Sequence, residues 1–323
     1  MTIKSPPLDA DVQIYADWLE LLASTNRDSG ALLRDIVSQE DIQQETEYDD
    51  FGTEDSFEED LVVQTSEEIW RRSESLGSSY PFILSENGEK LCIQKSLKDS
   101  QIAYLFCLII SNAWNSEQIA GALGEDRIRE ARDLFQVLSG ISASGHCQGP
   151  AYVTGWPRPD HSSFLTKLKE AYGIFGDGTP IDETPFEARA VKDEEIDVMS
   201  WASTIHVRLG TIYMLGQVAS GNNWKGKSVK ESIDFFHDEW FKHKPVSTPI
   251  PAMFIPFQLK RDNGELRRLA RKFGTIFDRL RLPQCVEAAP KDPDTNLYRI
   301  DRSEEFERIG CWVNAVTEEL NSP

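Results

Sequence analysis

The sequence predicts a mixed α/β chain, with a mainly helical N-terminal part (1–150) joined to a part (151–323) built on a central mixed sheet flanked by helices. Three observations predict it. Residues 9–37, 65–77 and 99–138 carry apolar side chains at helical spacing. Beyond 160 the patterns change to the order α-β-β-β-α-β. "TIYMLGQVAS" (211–220) is a nearly continuous apolar stretch, as in a strand buried on both faces.

In order along the chain, residues 9–37 set Trp18, Leu19, Leu21 and Leu22 as one helical stripe. Residues 40–60 hold eleven acidic side chains and no basic one. Such a block reads as a solvated loop, or as a phosphate-mimicking segment that guards a basic surface. Helices return at 65–77 and in "SQIAYLFCLIISNAW", "SEQIAGALG" and "DRIREARDLFQVLSG". "PFIL" and "KLCIQKS" flank "SENGEK", whose Asn-Gly marks a hairpin turn. Gly, Ser and Pro over 140–163 predict a linker. "SSFLTKLKEAYGIFG" is then a helix capped by Ser162 or Ser163. "FEARAV" (186–191), "IDVMSWAS" (196–203), residues 211–220 and "AMFIPFQL" read as strands. "VKESIDFFHDEWFKH", "GELRRLARKFGTIFDRLRL" and "SEEFERIGCWVNAVTEEL" read as helices.

Composition removes several classes. The longest apolar run, "YLFCLII" at 104–110, is far short of the ~20 residues that cross a bilayer, so no membrane association is expected. "MTIKSPPLDADVQ" has no apolar signal core, and export is not expected. Five scattered cysteines without a CxxC pair fit reduced core thiols of a cytoplasmic protein. The five His show no metal-ligand spacing. The net charge of −20 is uneven. Residues 1–150 hold 11 basic against 28 acidic side chains, −17, which leaves −3 for the rest. The second half is therefore not barred from polyanions.

Chemistry concentrates in that half. Asp197 lies in a strand-like run, where a buried carboxylate calls for a partner or a metal. Arg189 and Arg208 are candidate partners. Gln217 ends the next apolar strand, Lys225 and Lys227 follow in "SGNNWKGKS", and Glu170 stands on the preceding helix. Carboxylate, amide oxygen and the Val218 carbonyl form a hard-oxygen set for Mg²⁺ or Mn²⁺. A lysine beside them suits phosphodiester hydrolysis, orienting water or stabilising developing charge. The plain alternative is a strand-capping Gln and an ordinary turn. Trp224 either seals the turn as a core lid or stacks on a base. Residues 260–282 hold eight basic against three acidic side chains. There Arg267, Arg268, Arg271 and Lys272 either solvate an amphipathic helix or contact phosphates. No P-loop or dinucleotide fingerprint is present.

"DEEIDVMSW" followed by "GTIYMLGQVASGNNWKGKS" resembles the PD-(D/E)xK nuclease superfamily, of restriction-endonuclease-like fold. Within it the likeness is to the branch in which Gln replaces the second acid, found among bacterial restriction and anti-phage proteins. The resemblance spans about 160–260. It implies Asp197 in the place of the first acid, Gln217 in that of the second and Glu170 in that of the helix acid. The pattern asks for a lysine two residues after the second acid, where this chain has Ala219, so Lys225 or Lys227 would supply the amine. The expected function is a Mg²⁺- or Mn²⁺-dependent DNA endonuclease of a bacterial defence or restriction system, working with a partner such as an ATPase. The other expectation is a nuclease-like subunit that binds DNA or scaffolds a complex without cutting.

Overall fold

The structure, a computed structural model, describes residues 3–7, 9–26, 30–36, 54–115, 118–119, 121–156, 158–184, 195–203, 209–291 and 297–321. It divides into two compact units, Met1–Ile128 with Gly310–Pro323, and Arg129–Ile309.

The first unit begins with α1 (Val12–Thr25), whose Asp11 cap accepts the Gln13 N–H at 3.0 Å. β1 (Ala31–Leu32), β2 (Phe82–Leu84) and β3 (Lys90–Ile93) form an antiparallel sheet in the order β1-β3-β2. The Asn-Gly hairpin lies between β2 and β3, with Gly88 N–H on the Ser85 carbonyl at 2.8 Å. Between β1 and β2 runs α2 (Glu54–Leu76). Of the acidic segment, residues 40–53 lie outside the described residues, and Glu54–Asp60 open α2. α3 (Asp99–Asn115) buries every side chain of Tyr104–Ile110, as a helix apolar on all sides must. Gln118, Ile119 and Gly121–Gly124 form bends and turns instead of the expected short helix.

This unit holds a buried ionic core. Arg72, fully buried, pairs with Asp17 at 2.8 Å, Glu20 at 2.9 Å and Glu68 at 2.9 Å. Tyr80 and Tyr104 donate their hydroxyls to the Glu20 carboxylate at 2.7 and 2.8 Å. Each buried charge thus meets an opposite charge or a donor, as removal from water requires.

α4 (Glu125–Cys147) corrects the expected linker. Its "GISASGHC" is helical because small side chains allow another element to lie against it, not because they loosen the chain. A Cβ at Gly145 would overlap the Cys285 carbonyl. Ser139 returns its hydroxyl to the Phe135 carbonyl at 2.7 Å, so it does not compete with the helix. β4 (Ala151–Val153) also falls within the segment expected as linker.

In the second unit α5 (Phe164–Phe175) starts at the Ser163 cap, which accepts Thr166 N–H at 3.1 Å. A short β5 (Thr179–Pro180) follows, and the expected strand 186–191 lies outside the described residues. Next come β6 (Val198–Trp201), β7 (Tyr213–Val218), α6 (Val229–Trp240), β8 (Phe241–His243), β9 (Pro249–Phe254) and α7 (Asn263–Phe273). The helix expected over 264–282 stops at Phe273, and β10 (Thr275–Phe277) pairs beside β9. Thr-Ile-Phe is a strand-forming tripeptide, and β9 offers it an open edge. α8 (Leu282–Ala288) and α9 (Phe306–Asn321) complete the described elements.

The main sheet has the order β10-β9-β7-β6-β4. β7, β9 and β10 are parallel neighbours joined through α6 and α7, while β6 and β4 run antiparallel. The continuous apolar run of β7 therefore sits in the middle strand. On one face Tyr213 and Leu215 pack with Leu168 and Tyr172 of α5 and with Phe236 and Trp240 of α6. Four residues beyond Leu215, Ala219 packs with Met253, Leu269 and Phe273. No helix among the described residues is long and apolar enough to cross a membrane. All five cysteines are free, and Cys107, Cys147 and Cys285 are buried.

Candidate active site

Asp197 stands one residue before β6, just outside the paired register. Val198 pairs with Gly216, and the Asp197 N–H also donates to the Gly216 carbonyl at 2.9 Å. The Asp197 carboxylate, 9% exposed, accepts the Val218 N–H on Oδ2 at 2.8 Å. It thereby stitches the end of β6 to the end of β7, directly after Gln217. Arg189 and Arg208, the expected partners of Asp197, lie outside the described residues.

The second oxygen of the carboxylate faces Gly155. The Asp197 carbonyl accepts the N–H groups of Thr154 (2.8 Å) and Gly155 (3.3 Å), which draws the chain after β4 against this carboxylate. A Cβ at Gly155 would lie 2.8 Å from Asp197 Oδ1 and would overlap Gln136 Oε1. Only glycine lets these two oxygens flank the same point. Gln136, on α4, donates Nε2 to the Trp156 carbonyl at 3.1 Å, while its Oε1 is buried and accepts nothing. Sequence reasoning missed Gln136 and Gly155. They stand 61 and 42 residues before Asp197, and no spacing rule links positions so far apart.

Gln217 is 3% exposed and its Oε1 is buried without a hydrogen-bond partner. By strand alternation it shares a face with Leu215 and Ala219, so it is a polar gap between two apolar clusters. A buried acceptor without a donor costs about 1–3 kcal/mol, and it suits a cation or a ligand donor. Among the described residues no three His, Cys, Asp or Glu side chains cluster as ligands. The oxygen set here is one carboxylate with amide and backbone oxygens.

The other expected residues are placed elsewhere. Glu170 pairs with Arg299 at 2.9 Å. Lys225, 55% exposed, pairs with Glu265 at 3.0 Å. Lys227 is half-buried and engages no ion pair among the described residues. Trp224 is 6% exposed, packed on Phe273 with ring centroids 5.3 Å apart, so its indole lies inside the core. Ala219 is buried in that same cluster.

Arg267, Arg268, Arg271 and Lys272 are exposed on α7, whose Leu269 and Phe273 face inward. The turn after β7 is docked on this helix. Lys272 Nζ donates to the Lys225 carbonyl at 2.7 Å, Lys230 Nζ to the Arg271 carbonyl at 2.7 Å, and Ser228 Oγ to the Lys272 carbonyl at 3.0 Å. Lys225 and Lys230 thereby join the helix in one basic surface.

No protein-family model and no curated protein matches this chain. One solved structure, the crystal structure of protein VC1899 from Vibrio cholerae, shares 10% identity with it. That match covers 70% of this chain and 71% of that one, with a TM-score of 0.17, at which the likeness carries no argument.

Proposed function

We propose that the protein is a divalent-metal-dependent DNA endonuclease of restriction-endonuclease-like architecture, with its site at Asp197 and Gln217. One observation carries this reading: a nearly buried carboxylate bonded to the Val218 N–H, at the end of the strand where the preceding residue, Gln217, is buried with no partner for its Oε1. The β7-α6-β9 crossover beside an antiparallel β6 agrees with that architecture. The oxygen donors fit Mg²⁺ or Mn²⁺, since hard cations take carboxylate, amide and carbonyl oxygens. Asp197, Gln217 and the Val218 carbonyl would hold the ion, with Gln136 Oε1 at its edge. When bound, the ion polarises a phosphate and acidifies an attacking water. Lys227, uncommitted to any acid among the described residues, is the favoured source of the positive charge that stabilises the developing phosphorane. Lys225 is held in an exposed, solvent-screened pair, which a phosphate could displace. Arg267, Arg268, Arg271 and Lys272 would take the DNA backbone without reading sequence.

A second reading is favoured by Ala219. The position where the superfamily places its lysine is buried among apolar side chains. This supports a nuclease-like subunit that binds DNA, within an anti-phage complex that includes a partner such as an ATPase, and does not cut. Single-stranded DNA, plasmid and linear duplex incubated with Mg²⁺, Mn²⁺ or EDTA separate the two. Metal-dependent cleavage by the wild type, lost in Asp197→Ala, supports the first reading. Salt-sensitive binding without cleavage supports the second, and cleavage indifferent to Asp197→Ala overturns the site.

A further inference from the structure

Trp156 lies in a segment that the sequence marks only as linker, yet its backbone adjoins the Asp197 carboxylate. Its indole is 45% exposed. The residue before it, Gly155, lies against the Asp197 carboxylate, and the Trp156 carbonyl is held by Gln136, whose Oε1 flanks the same point. The side chain is supported as well. Arg158 places its guanidinium carbon 5.3 Å from the indole centroid, within cation–π range. Arg158 is itself buried and fixed, with Nη1 on the Thr154 carbonyl at 2.6 Å and Nε on the Ser162 carbonyl at 2.8 Å. An exposed apolar ring is ordinarily mobile, but this one is anchored through its backbone and across its face.

We propose that Trp156 is the nucleobase platform of the Asp197 site, and that the substrate is single-stranded DNA. A base can lie on an indole only when it has left its own stack, so the platform selects a single strand over a duplex. The buried Trp224 does not present a ring in this way. This inference rests on the nucleic-acid reading given above, but its test is independent of turnover.

Full-length protein is titrated, in EDTA, into a fluorescently labelled oligo(dT) and into a duplex of equal length, and anisotropy is read at several salt concentrations. Base–aromatic stacking contributes about 1–3 kcal/mol, so Trp156→Ala is expected to weaken oligo(dT) binding about 5- to 150-fold. Duplex binding is expected to stay within about twofold and the salt slope to stay unchanged, because no phosphate contact is lost. Trp156→Phe restores most of the affinity, and Trp156→Leu, apolar but without a π face, does not. Equal oligo(dT) binding by wild type and Trp156→Ala overturns the proposal. So does an equal loss on single strand and duplex, or recovery by Leu as complete as by Phe. Trp156-dependent binding without any metal-dependent cleavage supports the platform and refutes the hydrolytic reading. Cleavage that needs Asp197 but ignores Trp156 does the reverse.

Discussion

Replacing Gln217 by Met is expected to stabilise the fold while it impairs the chemistry. Gln217 is nearly fully buried, its Oε1 accepts nothing, and its strand neighbours on the same face, Leu215 and Ala219, belong to apolar clusters. An acceptor buried without a donor costs about 1–3 kcal/mol. Met keeps the unbranched length, tolerates an irregular site and puts an apolar chain between apolar neighbours. Loss of whatever the amide nitrogen donates offsets part of this, leaving a net gain of about 1 kcal/mol. Urea unfolding should show the midpoint rising at constant slope. Metal-dependent cleavage should fall at least tenfold, about 1.4 kcal/mol in the barrier. A loss of more than about 1 kcal/mol in stability with cleavage intact would refute the reasoning. Gln217 would then be a strand-end cap.

Two further predictions concern the fold. Arg72→Ala leaves Glu20 and Asp17 without their shared cation and should destabilise the first unit by about 3–5 kcal/mol; a loss below about 1 kcal/mol in chemical denaturation would contradict the buried network. His237 is packed against Phe236 and Phe241, and burial, helped by Lys244, holds its imidazole below the usual range against the opposing pull of Asp234 and Asp238. The unfolded chain then binds the proton more readily, so this contribution is complete above about pH 6.5 and is lost as pH falls through the folded value. Wild-type stability should drop by at most about 1.4 kcal/mol per pH unit there through this group. His237→Gln should show a shallower drop, and an unchanged pH profile would refute the assignment.

Much of the scaffold was legible in the residues. The apolar run of β7 identified the middle strand, Asn87-Gly88 identified the hairpin, and the pair Ser162-Ser163 identified the start of α5, which Ser163 caps. What misled was composition read without tertiary context. The Gly and Ser residues of 140–147 signalled a linker, but they are the small surface of a packed helix. Thr275–Phe277 carried helical spacing into a strand because an open sheet edge outweighed the local pattern. The candidate site was half visible. Asp197 and Gln217 stand out as polar residues in apolar strands. Gln136 and Gly155 reach the same carboxylate through folding alone. The lysine expected at the site shows the limit most clearly: nearness along the chain points equally to Lys225 and Lys227, and Lys225 is bound to Glu265.

The measurement closest to the central claim is single-turnover cleavage of labelled single-stranded DNA by Asp197→Asn. Asn keeps an oxygen for the Val218 N–H, now 2.8 Å from Oδ2, so the β6–β7 stitch survives while the negative charge is removed. The account predicts an unfolding midpoint close to wild type and Mn²⁺-dependent cleavage reduced at least about a hundredfold. Cleavage at the wild-type rate by this folded variant would contradict it.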